Sequence, residues 1–224
     1  MGKLLILPIR QTVTIEGLPD LTLTLEPGNV MPPQPPPIVV PPPPIPQPPP
    51  PVQPPGSGDF RVVEIGQYLP WAPENNPVPA TWPKSSLTFH WEGADVLAAT
   101  EDGAVQNALV GIAIQHIAKQ WAPGVYGNGV MYHECITPLG NSLIMRDYTD
   151  VVWHCGDERG NLSSRAILVY CSKATPPTGA QLLAIGKRIA DFSQSAGHAI
   201  PAYPHSKWSP TECPGDKIRS ILGY

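Results

Sequence analysis

HSKWSPTECPGD, residues His205 to Asp216, is the stretch on which the reading of this chain turns. Its prolines and the Pro-Gly pair that follows Cys213 are unfavourable for a regular helix, which leaves a loop. That loop carries a histidine and, eight residues later, a cysteine, both suited to a borderline-soft metal ion. A complementary stretch lies far upstream. In LTFHW, Leu87 to Trp91, strand alternation places Leu87, Phe89 and Trp91 on one face and Thr88 and His90 on the other, so His90 is a polar group projecting from a strand. Two neutral imidazoles and one thiolate make a three-ligand zinc site whose fourth position is open to water. That is the catalytic pattern, not the closed structural one. His198, seven residues before His205, competes for the same role, and spacing alone does not rank the two. A copper centre of the His₂Cys kind is disfavoured because no His or Met follows Cys213.

Composition sets the frame around this pair. The chain has 224 residues, room for one ordinary domain with an appendage. Sixteen of its 32 prolines fall between Pro32 and Pro55, a segment that can be neither helix nor central strand and is expected as extended polyproline II. Net charge is −4 and no basic patch stands out, which argues against a nucleic-acid partner. The four cysteines are read as free thiols: Cys213 as a ligand, and Cys135, Cys155 and Cys171 as small buried hydrophobes. The opening MGKLLILPIR has too short an apolar run for a signal-peptide core, and no stretch approaches a membrane span. No export address and no membrane insertion are expected.

Taken in order, TVTIE (12–16) and LTLTLE (21–26) alternate with period 2 around Gly17 to Asp20 and predict two short strands. A lone hairpin is marginal in water, so residues 1–30 are expected to act as a tether that pairs with the domain, with copies of itself, or with a virion or other protein partner. Residues 31–58 then form a linker of roughly 70 to 80 Å at about 3.1 Å per residue, closed by a Gly-Ser-Gly joint. The folded domain is expected over 59–224. Its proline-punctuated opening, Pro70 to Pro83, predicts a loop that buries Trp71 or Trp82.

Beyond the His90 strand, Val105, Leu109, Ile112 and His116 share one helical face, with the helix ending near Trp121 to Pro123. His116 is read as a hydrogen-bonded core histidine. VMYHECI (130–136) and LIMRD (143–147) flank a turn and predict paired strands. A loop around His154 leads into the apolar strand Ala166 to Cys171, buried on both faces. Thr178 to Gln181 reads as a capping box, and Leu182, Ile185, Ile189 and Ala190 as the apolar stripe of a second helix. The order predicts an α/β fold: a mixed central sheet with helices packed on it.

Tyr132-His133 after Gly129, the Trp153-His154 loop before a buried strand, and His205 to Cys213 ending in Pro214-Gly215 together resemble the zinc amidases that include N-acetylmuramoyl-L-alanine amidases, amidase-type phage lysozymes and peptidoglycan recognition proteins. The resemblance spans about residues 85 to 220. It implies that His90, His205 and Cys213 bind Zn²⁺, which selects His205 over His198. It further implies that Tyr132 and Thr211 are catalytic and that His154 lines the substrate groove. Without it, Tyr132 reads as a packing tyrosine and Thr211 as a turn cap. One departure is that no glutamate stands on the strand Ala166 to Tyr170, where some members of the family carry one.

The function so implied is hydrolysis of the amide between N-acetylmuramic acid and L-alanine in bacterial peptidoglycan, by a phage enzyme acting at the cell wall after release at lysis or from a virion. Two alternatives stand beside it: a peptidoglycan-binding module without catalysis, and a virion structural or adaptor protein acting through residues 1–58.

Overall fold

The structure, a computed structural model, describes residues 10–13, 21–24, 60–72, 75, 82–93, 101–122 and 124–224. The linker expected at 31–58 lies outside the described residues. In the N-terminal unit, β1 (Arg10–Val13) pairs antiparallel with β2 (Leu21–Thr24), with Val13 opposite Leu21 and Arg10 opposite Thr24. The first strand therefore starts two residues earlier than the alternation predicts, and residues 14–16 and 25–26 of the two expected strands lie outside the described set.

The second unit is built on a mixed sheet of six strands, ordered β10-β4-β9-β7-β8-β3. These are β3 (Val62–Glu64), β4 (Ser86–Trp91), β7 (Glu134–Ile136), β8 (Ser142–Ile144), β9 (Ser164–Val169) and β10 (Ala202–Pro204). All neighbours run parallel except β7 and β8, which form the hairpin expected around Gly140. Helices α1 (Asp102–Ala118) and α3 (Gly179–Ala196) cover its two faces, confirming the α/β class. Period-2 alternation sorts the core accordingly. Leu168 and Cys135 pack with Val105, Leu109 and Ile112 of α1, whereas Leu87, Phe89, Ile167 and Val169 pack with Ala184, Ile185 and Phe192 of α3. Thr88 and His90 consequently look towards the α1 side, and both are fully buried.

The capping box holds: Thr178 Oγ1 accepts from the Gln181 N–H at 3.1 Å and Gln181 Oε1 from the Thr178 N–H at 3.0 Å. The buried stripe of α3 is Gln181, Ala184, Ile185, Arg188 and Phe192, with Ala190 exposed and not on the stripe as expected. The stripe accommodates Arg188 because its guanidinium meets buried Glu134 through two bonds of 2.7 and 2.9 Å.

Several boundaries differ from expectation. Helix α1 stops at Ala118, because Gln120–Ala122 forms β5 against β6 (Val125–Tyr126). Strand β7 begins only at Glu134; ahead of it the Met131 N–H bonds to His116 Nδ1, while the His133 N–H already bonds to the Ala166 carbonyl. The segment before β9 contains the short helix α2 (Glu158–Ser163), capped by Asp157, and the chain ends in α4 (Asp216–Leu222). Neither Trp71 nor Trp82 is buried. Both remain about half exposed, and Trp71 is covered on one face by the Arg146 guanidinium at 4.4 Å.

His133 staples the sheet. Its Nδ1 accepts from the Ala166 N–H and its Nε2 lies 2.9 Å from the Asp150 carbonyl, which can only accept, so the ring is neutral with its proton on Nε2. Burial holds its pKa down at about 3, and burial likewise lowers that of His116 to about 4. Between those values and the ordinary 6.5 the unfolded chain binds protons that the fold refuses. The associated stability is present above about 6.5 and is lost as pH falls towards 4 and then 3. The urea midpoint of the full chain is therefore expected to drop between pH 6.5 and 4, and His116→Gln to flatten that slope; an unchanged slope in the variant would contradict the assignment.

Candidate metal centre

The parallel pairing of β10 with β4 sets Ala202 beside Leu87, Tyr203 beside Thr88 and Pro204 beside Phe89. The next step along both strands brings His205 beside His90, with ring centroids 4.5 Å apart. A short 3-10 turn at His205–Lys207 then carries the chain away, and the loop returns so that the Trp91 N–H donates to Cys213 Sγ at 3.3 Å. That return needs Gly215, at φ 82°, because a Cβ there would lie 2.5 Å from Cζ3 of Trp91.

One ligand atom from each of His90, His205 and Cys213 falls within 4.8 Å of the others. Cys213 Sγ is 3.9 Å from His90 Nδ1. Burial lowers the pKa of His90 and His205, the latter against a hydrogen bond to the backbone of Cys155, and raises that of the Cys213 thiol to about 12. A hard-to-ionise thiol and two neutral imidazoles, Cys213 and His90 buried and His205 partly so, converge as a donor set that a soft-to-borderline cation fits. The rival, His198, is exposed and its Nδ1 lies 3.0 Å from the Ala196 carbonyl, away from this group. Cys135, Cys155 and Cys171 are buried free thiols.

Tyr132 stands against the centre, its ring 5.2 Å from that of His90. Burial, reinforced by the charge of Glu92, raises its pKa, so the phenol keeps its proton at neutral pH. Thr211 lies on the Cys213 loop, where its Oγ1 accepts from the Cys213 N–H at 3.2 Å and so keeps its own proton to donate. His154 is buried, with Nδ1 2.9 Å from His90 Nε2 and Nε2 3.2 Å from Ser164 Oγ, so both nitrogens are engaged inside the protein. The sequence reading did not single out Ser164, Thr88 or Trp208, which stand behind His154; a polar residue on a strand face gives no local signal of what it meets.

No family model matches the sequence, and no curated protein matches it. Solved structures do match the fold. An N-acetylmuramoyl-L-alanine amidase, LysC, from Clostridium intestinale superposes with a TM-score of 0.53 at 17% identity, over 74% of this chain and 99% of its own. Drosophila peptidoglycan recognition protein LB gives 0.58 at 18% identity, over 74% and 94%. Peptidoglycan recognition protein LE, solved with tracheal cytotoxin, a monomeric diaminopimelic acid-type peptidoglycan, gives 0.59 at 17%, over 73% and 93%. The chain thus has the fold shared by these amidases and recognition proteins. Among the described residues, no helix is long and apolar enough to cross a membrane.

Co²⁺ titrated into the full chain is expected to give the thiolate-to-metal charge-transfer absorption of a bound cysteine. Cys213→Ser should abolish it, because a hydroxyl does not replace a thiolate, while His198→Ala should retain it. Absorption that survives Cys213→Ser would refute the ligand assignment.

Proposed function

We propose that this chain is a zinc-dependent amidase that hydrolyses the bond between N-acetylmuramic acid and L-alanine in peptidoglycan. The observation that carries the reading is the convergence of His90, His205 and Cys213 beside Tyr132. The fold, shared with an amidase and with proteins solved on peptidoglycan fragments, supports the substrate class. Two imidazoles and a thiolate are a tetrahedral donor set that leaves one position open, which favours zinc. When bound, zinc supplies a Lewis acid that polarises an amide carbonyl and lowers the pKa of water.

The chain's own groups supply the rest. Hydrolysis of an amide passes through a tetrahedral oxyanion, and a donor aimed at the developing charge lowers the barrier. The Tyr132 phenol, kept protonated, and the Thr211 hydroxyl, whose lone pair is taken by the Cys213 N–H, are the two such donors at this centre. The buried Cys213 and His90 keep bulk water from that side. We further infer that the catalytic domain occupies 59–224 and that residues 1–30 and 31–58 serve as tether and spacer, an arrangement that suits a phage lytic enzyme working at the cell wall.

Tyr132→Phe and Thr211→Ala are each expected to lower kcat by about 10² to 10³, the usual cost of one oxyanion donor, with the metal still bound. Amine release from isolated cell walls, alongside metal content, measures both. Loss of metal in parallel with activity, or full activity in both variants, would remove these residues from the mechanism.

A further inference from the structure

On the α1-facing side of β4 and β9, the buried polar residues Thr88, His90 and Ser164 are joined through His154 by one hydrogen-bonded network whose ends are chemically fixed. One end is the carbonyl of Gly160, which can only accept, so Ser164 Oγ donates to it at 2.7 Å. Ser164 has then spent its proton. It must accept from Thr88 Oγ1 at 2.9 Å and from His154 Nε2 at 3.2 Å. The other end agrees: the Trp208 indole N–H can only donate, and does so to Thr88 Oγ1 at 2.8 Å, leaving the Thr88 proton for Ser164.

The consequence runs through His154 to the metal ligand. With its proton on Nε2, a neutral His154 presents a bare Nδ1, which can accept only if His90 carries its proton on Nε2, 2.9 Å away. Nδ1 of His90 is then the unprotonated nitrogen, and it is the one that faces Cys213 Sγ. Hydrogens follow from donors and acceptors here, and every member of the chain has one self-consistent assignment. Gly160 is part of the construction, since a Cβ there would meet Cys155 Sγ at 2.5 Å and Trp208 Cδ2 at 2.8 Å and push the indole off the network.

We propose that Ser164, anchored by the Gly160 carbonyl and the Thr88–Trp208 pair, acts through His154 as the positioning residue that holds His90 in the Nε2–H tautomer, with its Nδ1 lone pair presented to the metal. This deepens the metal reading above and rests on it for the ligand role of His90, but the tautomer itself exists without metal. A metal-binding imidazole gains from a partner on its other nitrogen that fixes ring orientation and protonation, and losing such a partner typically costs about 10- to 100-fold in metal affinity. Without Ser164, His154 keeps only its bond to the Gly160 backbone on that side, and its proton moves more readily to Nδ1, driving that of His90 onto the coordinating nitrogen.

The test uses the full chain, ¹⁵N-labelled at histidine and free of metal at pH 7, in long-range ¹H–¹⁵N spectra. His90 and His154 are both expected as the Nε2–H form in the native protein. In Ser164→Ala, His90 should acquire the Nδ1–H form and Zn²⁺ affinity should fall about 10- to 100-fold. His154→Gln, whose amide can accept from His90 and donate to Ser164, should restore most of that affinity relative to His154→Leu. A native His90 protonated on Nδ1 would overturn the proposal, and this outcome needs no variant to fold. So would Zn²⁺ affinity equal to native in Ser164→Ala and His154→Leu. A native protein with the Nε2–H form but no Zn²⁺ affinity would sink the metal reading while supporting the relay.

Discussion

The parallel register between β10 and β4 is the constraint on which the site depends. His90 and His205 are 115 residues apart in sequence by difference of their numbers, and they become neighbours because Pro204 is aligned with Phe89 on adjacent strands. A slip of one residue would turn His90's neighbour to the other face and bury a polar ring among Leu87, Phe89 and Ile167. The register is in turn held by what flanks it: Tyr203 beside Thr88, the Trp208 indole on the Thr88 hydroxyl, and the Trp91 N–H on Cys213 Sγ. Packing, polar satisfaction and ligand placement thus all select the same alignment, which is the consistency expected of a single native state.

Burial then does chemical work at this alignment. A fully buried imidazole such as His90 is uncharged, and burial makes the Cys213 thiol resist ionisation. The same surroundings that make the candidate ligands poor ions also preorganise His90, which is buried and whose outer nitrogen is already occupied by His154. Tyr132 shares this environment, which suits a hydrogen-bond donor and not a base. The absence of a glutamate on β9 fits a centre whose polar groups on that strand face are neutral, Ser164 among them.

Part of the candidate donor set was legible because its signals are local: alternation in LTFHW decides the face of His90, and the prolines around Cys213 exclude a helix. His205 and His198 have no such local difference: the family resemblance points to His205, and the fold places it at the end of a sheet strand and His198 on the surface beyond α3. What stands behind the ligands was not legible. Ser164 and Thr88 look like any β-strand hydroxyls, and their meeting depends on the β4–β9 register, a long-range property. Helices α2 and α4, at 6 and 7 residues, are too short to display a period, and α1 ends early because β5 and β6 pair with each other. Arg188 in the buried stripe of α3 was hidden for the same reason as Ser164: its partner, Glu134, comes from another element.

The most direct test of the central claim is X-ray absorption at the zinc edge on the full chain loaded with one equivalent of Zn²⁺. A centre made by His90, His205 and Cys213 predicts a four-coordinate shell with one sulfur at about 2.3 Å and the remaining nitrogen or oxygen ligands at about 2.0 to 2.1 Å. A shell of light atoms alone, or one with two or more sulfurs, would contradict it.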